Sequence, residues 1–471
     1  MFHARLLVVA LLASGCQYIA GLENAHLGGD GGIDAQRDGM MPDAPDGAEP
    51  NPVVQVPAGT ITIDTRWSTG SVYVLNGIVI IGGAATLTIE PGTRIEGEQG
   101  AALVIARGAK IMAEGTAAQP IVFTSAQPDG QKTRGFWGGV AVLGAAPINT
   151  NHVGANQSDE ASFEAFPNDV PEAKFGGASP HDNSGILRYV RIELGGYQIV
   201  VDREYNNLTL AGVGDATQVD HVQVHGGSDD GIEIFGGTVN LKHIVSSQNE
   251  NDGFDASDGW RGKAQFVVVQ NVAPSAAAES SNGYELDNHA PGDPAAFTAQ
   301  PRTQPTVYNV TLIGKHDYVE GQGSFATVLR RGTGGQFFNH VIMSFPRGLE
   351  VRDAATADQL SIEDLFIKSS IIFGNDDMGR NWPSPQPSND IDEASYFTQQ
   401  TWMNRFVDPR LPAAAFSLTA PTFKPEAGSP ALSGGMAPPN DGFFDAAATF
   451  IGAVGSDDWT LGWTAYTQPA P

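Results

Sequence analysis

The chain contains almost no cysteine. Cys16 is the only one in 471 residues, so no disulfide bond can form within the chain. A folded domain without such cross-links depends on burying an apolar core, and a chain of this length can supply one.

The residues before Cys16 predict export. Residues 1–5 carry a positive charge, residues 6–12 are apolar, and small residues fill 13–15. This order is typical of an export signal, and a cysteine directly after Ala-Ser-Gly resembles the cleavage site of bacterial lipoproteins. We therefore predict a signal peptide over 1–15, cleavage before Cys16 and attachment of fatty acids such as palmitate to Cys16. The alternative is an ordinary secretory signal with an incidental cysteine.

Long apolar runs are also missing. After the signal, no stretch reaches the roughly 18 apolar residues that a membrane-spanning helix needs. A lipid anchor at Cys16 would hold the protein at the membrane instead, because acyl chains contribute about 0.8 kcal/mol per buried methylene. Gln17 is not the aspartate that can retain lipoproteins at an inner membrane. The expected location is therefore the cell envelope, at the outer membrane, with the side of the membrane left open.

Basic residues are scarce relative to acidic ones. The sequence has 26 Lys and Arg against 53 Asp and Glu, which gives a formal net charge of −27. A surface this acidic repels nucleic acid and anionic lipid headgroups, so nucleic acid is excluded as a partner. The same surface favours bound cations.

Composition divides the rest of the chain into two parts. Residues 16–52 are rich in Gly, Asp and Pro and are predicted to be a disordered tether that carries the lipid. From Val53 onward, short apolar stretches alternate with Gly, Asn, Asp and Pro. Long amphipathic helices are nearly absent, so residues 53–471 are predicted to form one all-β domain.

The strand and turn pattern repeats at short intervals. Asp-Gly-Ile-Glu-Ile at 230–234 returns as Asp-Gly-Phe-Asp-Ala at 252–256 and as Asn-Gly-Tyr-Glu-Leu at 282–286, and 348–351 is a degenerate copy. Coils this short leave no room for helical crossovers, so the repeats predict a solenoid of stacked parallel β-sheets. The longer second interval fits an inserted loop over 273–281.

Six segments carry a resemblance to known proteins. They are GAALVIARGAKI at 100–111, WGGV at 137–140, DDGIEIFGG at 229–237, DGWRGK at 258–263, GSPAL at 428–432 and DDWTLGW at 457–463. In these segments the chain resembles a family of bacterial surface and secreted proteins with a right-handed parallel β-helix. The resemblance implies such a helix over 53–471, with inserted loops and an aromatic C-terminal cap. The family has no settled biochemical activity, so no catalytic residue is carried over.

Acidic residues recur at one position of the repeat. If the repeats stack, Glu233, Asp255 and Glu285 lie about 4.8 Å apart on adjacent coils. Two such charges repel by about 3.5 kcal/mol at an effective dielectric constant of 20. Raised pKa values, a basic partner or a bound cation would relieve this repulsion.

Calcium is the cofactor that this concentration of carboxylates favours, because it prefers oxygen ligands. The candidate ligands combine strand and turn acids: Asp229, Asp230, Glu233, Asp252, Asp255, Asp258, Glu285 and Asp287. The alternative for the turn acids is a purely structural role, because Asp-Gly and Asn-Gly pairs are common in turns. No loop has the EF-hand pattern.

The same acids offer a catalytic alternative. Parallel β-helices often host pectate lyases and polygalacturonases, and the catalytic candidates would then be Glu233, Asp255, Glu285 and Arg330, with Arg261, Lys263 and Arg331 as further basic residues. A lyase would pair acid-bound calcium with a basic side chain, and an inverting hydrolase needs two carboxyls about 6.5–9.5 Å apart. An acidic body repels polyanionic uronates, and no established lyase or hydrolase motif is present.

Histidine and tryptophan give weaker signals. His221 and His225 alternate with Val222 and Val224, so both histidines are expected at the solvent face, about 13 Å apart and too distant to share a metal ion. Stacking on sugars is possible for the tryptophans, but large aromatic residues more often plug the ends and loops of solenoids. The residues concerned are Trp137, Trp260, Trp459 and Trp463.

Three functions are compatible with the sequence. The favoured one is a surface-exposed lipoprotein that binds or adheres to a glycan or a protein through an acidic, calcium-binding face, without enzymatic activity. The second is a polysaccharide lyase or glycoside hydrolase, and the third is a structural protein of the cell envelope. The expected partners are the membrane, through the lipid, and an extracellular polysaccharide or surface protein.

Overall fold

A computed structural model describes residues 51–150, 159–166, 170–200, 203–271, 281–289, 294–315, 324–375, 381–382 and 391–470. The predicted signal peptide, Cys16, nearly all of the predicted tether and most of the predicted loop at 273–281 lie outside the described residues.

Short strands make up most of the regular structure. They are β1 (Val53–Ile61), β2 (Thr65–Trp67), β3 (Val72–Ile81), β4 (Thr86–Ile89), β5 (Arg94–Gly97), β6 (Ala102–Ile105), β7 (Lys110–Glu114), β8 (Ile121–Ser125), β9 (Val140–Leu143), β10 (Ala161–Ser162), β11 (Lys174–Phe175), β12 (Gly185–Glu193), β13 (Gln198–Val200), β14 (Arg203–Glu204), β15 (Leu208–Ala211), β16 (Gln218–His225), β17 (Ile232–Phe235), β18 (Asn240–Ser247), β19 (Phe254–Ser257), β20 (Lys263–Asn271), β21 (Tyr284–Asp287), β22 (Thr306–Gly314), β23 (Phe325–Arg330), β24 (Gly335–Met343), β25 (Arg347–Val351), β26 (Leu365–Lys368) and β27 (Ile371–Phe373). Two short helices, α1 (Ala354–Ser361) and α2 (Glu393–Phe397), lie near the end of the strand region.

Within the described residues, 23 of these strands join in one continuous sheet. β10 pairs with β11 and β13 with β14 in two small antiparallel ladders. Among the described residues, none of the helices has the length and apolar character needed to cross a membrane.

The continuous sheet winds into three stacked faces, which we call sheets 1, 2 and 3. Sheet 1 stacks β6, β9, β15, β17, β19, β21, β23 and β25 in parallel. Longer strands such as β16, β18 and β20 bend once, so that their first halves lie in sheet 2 and their second halves in sheet 3. This is the right-handed parallel β-helix that the sequence predicts.

The core lies inside the coil. Side chains alternate along each strand, and in sheet 1 the inward positions hold residues such as Ile232, Ile234, Leu286 and Leu329, each at most 1% exposed. Leu241 and Ile244 close the same cluster from the other two sheets. Continuous apolar contact between coils therefore replaces the disulfide bonds that the chain cannot make.

The bend between sheets 2 and 3 is a left-handed corner. Successive coils place Tyr189, His221, His243 and Phe266 there, with φ between +48° and +60°. Their rings stack on one another at centroid distances of 4.3, 4.2 and 5.0 Å. His221 is half-buried at this corner beneath the rings of Trp459 and Trp463, so its expected position in solvent is wrong.

His225 is also placed differently from the expectation. Val222 and Val224 face the core as predicted, but His225 is fully buried. Its Nδ1 contacts Ser247 Oγ at 2.8 Å and its Nε2 contacts the carbonyl of Thr467 at 3.0 Å. The C-terminal segment, which we define as residues 406–470, covers this histidine and excludes solvent from it.

The aromatic C-terminal residues lie along the flank of the helix and not at its open end. Trp459 and Trp463 pack edge-on against His221, in the middle coils. The last coil is instead covered by residues 391–405, where Trp402 accepts a hydrogen bond from Ser369 N through its carbonyl oxygen. The expected cap thus comes from a segment that precedes the one identified in the sequence.

Outward amide side chains hold the C-terminal segment to the helix. Gln223 and Ala465 exchange two hydrogen bonds, as do Gln265 and Asp445. Apolar residues of the segment also cover the outer face of sheet 3. The cluster includes Val268, Ile313, Val341, Met343 and Ile371 of the sheet with Ala415, Phe423, Ala431, Ile451 and Val454 of the segment.

We expect the C-terminal segment to contribute strongly to stability. Ile451 is fully buried in this cluster, so Ile451→Ala should lower the free energy of unfolding by about 2–5 kcal/mol. Leu461, which is 58% exposed in the same segment, provides the control, and Leu461→Ala should stay within about 0.5 kcal/mol of the wild type. Equal effects of the two substitutions in urea unfolding would contradict this packing.

Candidate functional site

Sheet 1 aligns the acidic residues of the repeat. Glu233 pairs in register with Asp255, and Asp255 pairs with Glu285. We call these three residues the acidic row. The alternate positions of the same strands face the core, so the three carboxylates point outward. The alignment inferred from the repeats is therefore present in the fold.

The outer face changes character on both sides of the acidic row. Thr209 precedes Glu233 in register, and Val328 and then Glu350 follow Glu285. Toward the start of the helix the outer face is apolar and is covered by Phe163 and other buried aromatic residues. The acidic row is therefore a bounded patch.

A second row runs beside the first, in the turns that precede the strands. We call Asn206, Asp230, Asp252 and Asn282 the turn row. A side-chain oxygen of each accepts a hydrogen bond from the backbone N–H one coil further on, at 3.2, 2.8, 2.9 and 2.8 Å. Asn and Asp serve equally well as acceptors here, which explains why the repeat tolerates either.

The glycines after the turn row are required by close packing. A Cβ atom on Gly231 would lie 2.2 Å from Ser246 Oγ, and one on Gly253 would lie 2.1 Å from Val269 Cγ1. The Asp-Gly pairs thus have the structural role that the sequence suggests as the alternative to calcium binding for the turn acids. That role occupies one oxygen of each aspartate and leaves the other for a ligand.

The two rows together form overlapping sets of potential cation ligands. Carboxylate oxygens of Asp230, Glu233 and Asp255 lie within 4.8 Å of one another, and so do those of Asp252, Asp255 and Glu285. Asp255 belongs to both sets. Its Oδ1 is buried and has no hydrogen-bond partner among the residues that the structure describes, so it is the atom that most needs a ligand.

Ionisation of these carboxyls is opposed by their surroundings. Burial raises the pKa of Asp255 well above its usual range, and the charges of Glu285, Asp287 and Asp252 raise it further. Burial also raises the pKa of Glu233, and the neighbouring charges of Glu164 and Asp255 add to the effect. Both turn acids, Asp230 and Asp252, shift in the same direction, chiefly through burial.

Basic side chains reach only the far end of the acidic row. Arg330 pairs with Glu285 and, at 2.7 Å, with Asp287. Arg331 forms a further ion pair with Asp287 at 2.5 Å. Asp287 is therefore neutralised by arginine and lies outside both ligand sets, while Glu233 and Asp255 have no such basic contact among the described residues.

The remaining candidates belong to neither of the two ligand sets. Asp229 accepts a hydrogen bond from Asn251 at 3.2 Å, and Asp258 lies 3.2 Å from His289. Lys263 belongs to sheet 2, where it pairs with Asp441 of the C-terminal segment. Arg261 follows the turn after β19 and is exposed.

Asn206 is a site residue that the sequence analysis missed. Its side-chain amide donates a hydrogen bond to Glu233 Oε2, while its oxygen begins the turn row. The sequence signal for Asn206 was its position one coil before Asp230. Asn206 was missed because it carries no charge and is not followed by the glycine that marks the later members of the turn row.

Another group with metal-binding residue types lies under the C-terminal segment. Asp220 Oδ1 lies 2.9 Å from His221 Nδ1 and 2.7 Å from His243 Nδ1. The two imidazole rings are stacked 4.2 Å apart at 27°, so their in-plane lone pairs cannot converge on one ion at the usual bond length of about 2.0 Å. This group is better explained as a structural hydrogen-bonded stack.

Calcium should stabilise the protein more as the pH rises. Carboxyls with raised pKa values bind protons in the folded state at a pH where the unfolded chain has released them, so stability without calcium falls as the pH rises above about 4. Calcium competes with those protons, and at about 100 times its Kd it would add about 2.7 kcal/mol. We expect calcium to raise Tm clearly at about pH 8 and much less at about pH 5. A shift that is absent, or that is larger at the lower pH, would contradict proton-linked binding at these acids.

Comparison with known proteins supports the fold independently. The family model of the pectate-lyase-like β-helix domain matches residues 59–403. No curated protein and no solved structure matches the chain significantly. The matched residues include every strand of sheet 1 and the whole acidic row, and they end just before the C-terminal segment. The chain therefore belongs to the family of pectate-lyase-like β-helix domains.

Proposed function

We propose that this protein is an exported, lipid-anchored β-helix whose acidic row binds calcium and thereby holds a glycan or a partner protein, without cleaving it. The observation that carries the proposal is the pair of overlapping carboxylate sets centred on Asp255. Both sets offer only oxygen ligands, which is the chemistry that Ca²⁺ prefers.

The geometry favours binding over catalysis. A lyase needs a basic group free to accept a proton, but Arg330 is held by Glu285 and Asp287. Burial alone would lower the pKa of Arg330, yet the contacts with Asp287 and Glu285 outweigh it and raise that pKa. A guanidinium held in its charged form by two carboxylates cannot act as the base.

The spacing of the carboxylates also favours binding over catalysis. An inverting hydrolase separates its two carboxyls by about 6.5–9.5 Å to admit water. Carboxylate oxygens within each ligand set lie no more than 4.8 Å apart, which suits a shared cation. Polysaccharide cleavage remains the second candidate function, because the family is pectate-lyase-like and carboxyls with raised pKa values are suited to acid catalysis.

The bound partner would be recognised through the cation. Tryptophan offers little surface for stacking on sugars, because all seven tryptophans lie in the described residues, where Trp382 and Trp459 are half-buried and the other five are buried. A calcium ion on the acidic row would instead present open coordination positions to hydroxyl or carboxylate oxygens. Glycans and acidic protein loops both carry such groups, and calcium also reverses the repulsion that the acidic surface exerts on anionic polymers.

Binding should depend on calcium and on Asp255. In a panel of immobilised uronate and neutral polysaccharides, we expect retention of the wild type with calcium, and loss of retention with a chelator or in Asp255→Asn. Glu426→Gln removes a carboxylate that is 53% exposed and distant in sequence, so it serves as the control and should bind like the wild type.

The same samples separate binding from cleavage. New reducing ends or unsaturated products that appear with the wild type and vanish in Asp255→Asn would overturn the non-catalytic proposal. Retention that persists in the chelator would contradict recognition through a cation.

The anchor is a separate proposal that rests on Cys16, which lies outside the described residues. Cells that express the full chain should incorporate labelled palmitate into the wild type and not into Cys16→Ser, and the wild type should fractionate with membranes. Lack of label in both proteins would contradict the lipid anchor.

A further inference from the structure

A second polar cluster lies at the edge of sheet 1, where residues that follow β9 cross the ends of β19 and β21. Asn149, Asp258 and His289 meet there and are 0, 4 and 6% exposed. Asn149 is more than a hundred residues before Asp258 and His289 in the sequence, so the fold itself assembles the cluster.

Three polar atoms converge within this cluster. His289 Nδ1 lies 3.2 Å from Asp258 Oδ1 and 3.3 Å from Asn149 Oδ1. The contact with Asn149 has hydrogen-bond geometry, whereas Asp258 Oδ1 is buried and has no hydrogen-bond partner within the part of the chain that the structure describes. The nearest partner of this buried carboxylate oxygen among the described residues is the imidazole nitrogen at 3.2 Å, and a cation between the three atoms would satisfy it more fully.

Surrounding contacts fix the orientation of each group. Asn149 Nδ2 donates to the carbonyl oxygens of Asn288 and Pro301 at 2.8 and 2.9 Å, which leaves its Oδ1 directed at His289. Thr150 donates its hydroxyl to Asp258 Oδ2 at 2.8 Å, which leaves Oδ1 directed at His289. Metal ligands are commonly held by outer hydrogen bonds of this kind.

We propose that Asn149 Oδ1, Asp258 Oδ1 and His289 Nδ1 bind a divalent transition-metal ion, with Zn²⁺ as the best match. An imidazole nitrogen beside a carboxylate oxygen suits zinc better than calcium. Tetrahedral zinc with bonds of about 2.0 Å places its ligand atoms about 3.3 Å apart, close to the two measured separations.

The site would tie a crossing segment to two coils. Asn149 N also donates to the Asp258 carbonyl at 2.8 Å, so a metal ion here would fasten residues 149–150 across the ends of β19 and β21. Asp255 and Glu285 of the acidic row lie on these same strands. The zinc site would therefore be structural, and separate from the calcium-binding row in both ligands and ion preference.

Zinc titration of the chelator-treated full chain tests this proposal. Calorimetry with zinc chloride alone should show one tight equivalent for the wild type. His289→Ala and Asp258→Asn should each weaken binding by more than about tenfold, while Asp255→Asn should leave it unchanged. His181, an exposed histidine 2.7 Å from Asp215, provides the control, and His181→Ala should bind zinc like the wild type.

Loss of zinc binding in a variant could also result from misfolding, so a variant that is expected to bind zinc more tightly is needed. Asn149→Asp supplies a second carboxylate to the ion and should tighten zinc binding, with circular dichroism as the check on folding. The proposal is overturned if the wild type binds no zinc equivalent, if His289→Ala and Asp258→Asn both retain full affinity, or if Asn149→Asp folds and binds no more tightly.

Discussion

Stacking of parallel strands in register is the constraint on which the rest of this structure depends. Each coil repeats the previous one about 4.8 Å away, so a residue type at one position becomes a column of that type. Apolar columns form the core, and aromatic columns form the ring stack from Tyr189 to Phe266 at the left-handed corner. The same geometry forces Glu233, Asp255 and Glu285 together, where their charges repel.

The acidic row and the turn row differ in how their carboxylates are stabilised. In the turn row, Asp230 and Asp252 each use one oxygen to accept a backbone N–H from the next coil, which joins the coils. In the acidic row, Asn206 donates a hydrogen bond to Glu233 and Arg330 reaches Glu285, but among the described residues neither contact extends to Asp255. Asp255 is left with a raised pKa and with an oxygen that has no hydrogen-bond partner among the described residues. In the function that we propose, a bound calcium ion supplies that partner. Family membership fixes the fold, whereas the function is argued from this site alone.

Sequence alone predicted the features that repetition encodes. The β-helix and the alignment of Glu233, Asp255 and Glu285 followed from the repeated strand that begins with Asp-Gly or Asn-Gly. Coils that share the same strand and turn stack with equivalent residues in register. Features without a repeat were not predictable in this way. His225 was expected in solvent, but Thr467, far along the chain, covers it, and no local pattern records such a contact. The cluster of Asn149, Asp258 and His289 was not predicted either, because it also depends on contacts between distant segments.

Calcium at the acidic row can be located by anomalous diffraction from crystals grown with calcium, because the signal places the ion without reference to activity. We expect a peak about 2.3–2.6 Å from oxygens of Asp255 and of the acids in at least one of its two sets. A structure at neutral pH in saturating calcium, with no peak there and the Asp255 carboxyl hydrogen-bonded as a neutral acid, would contradict it.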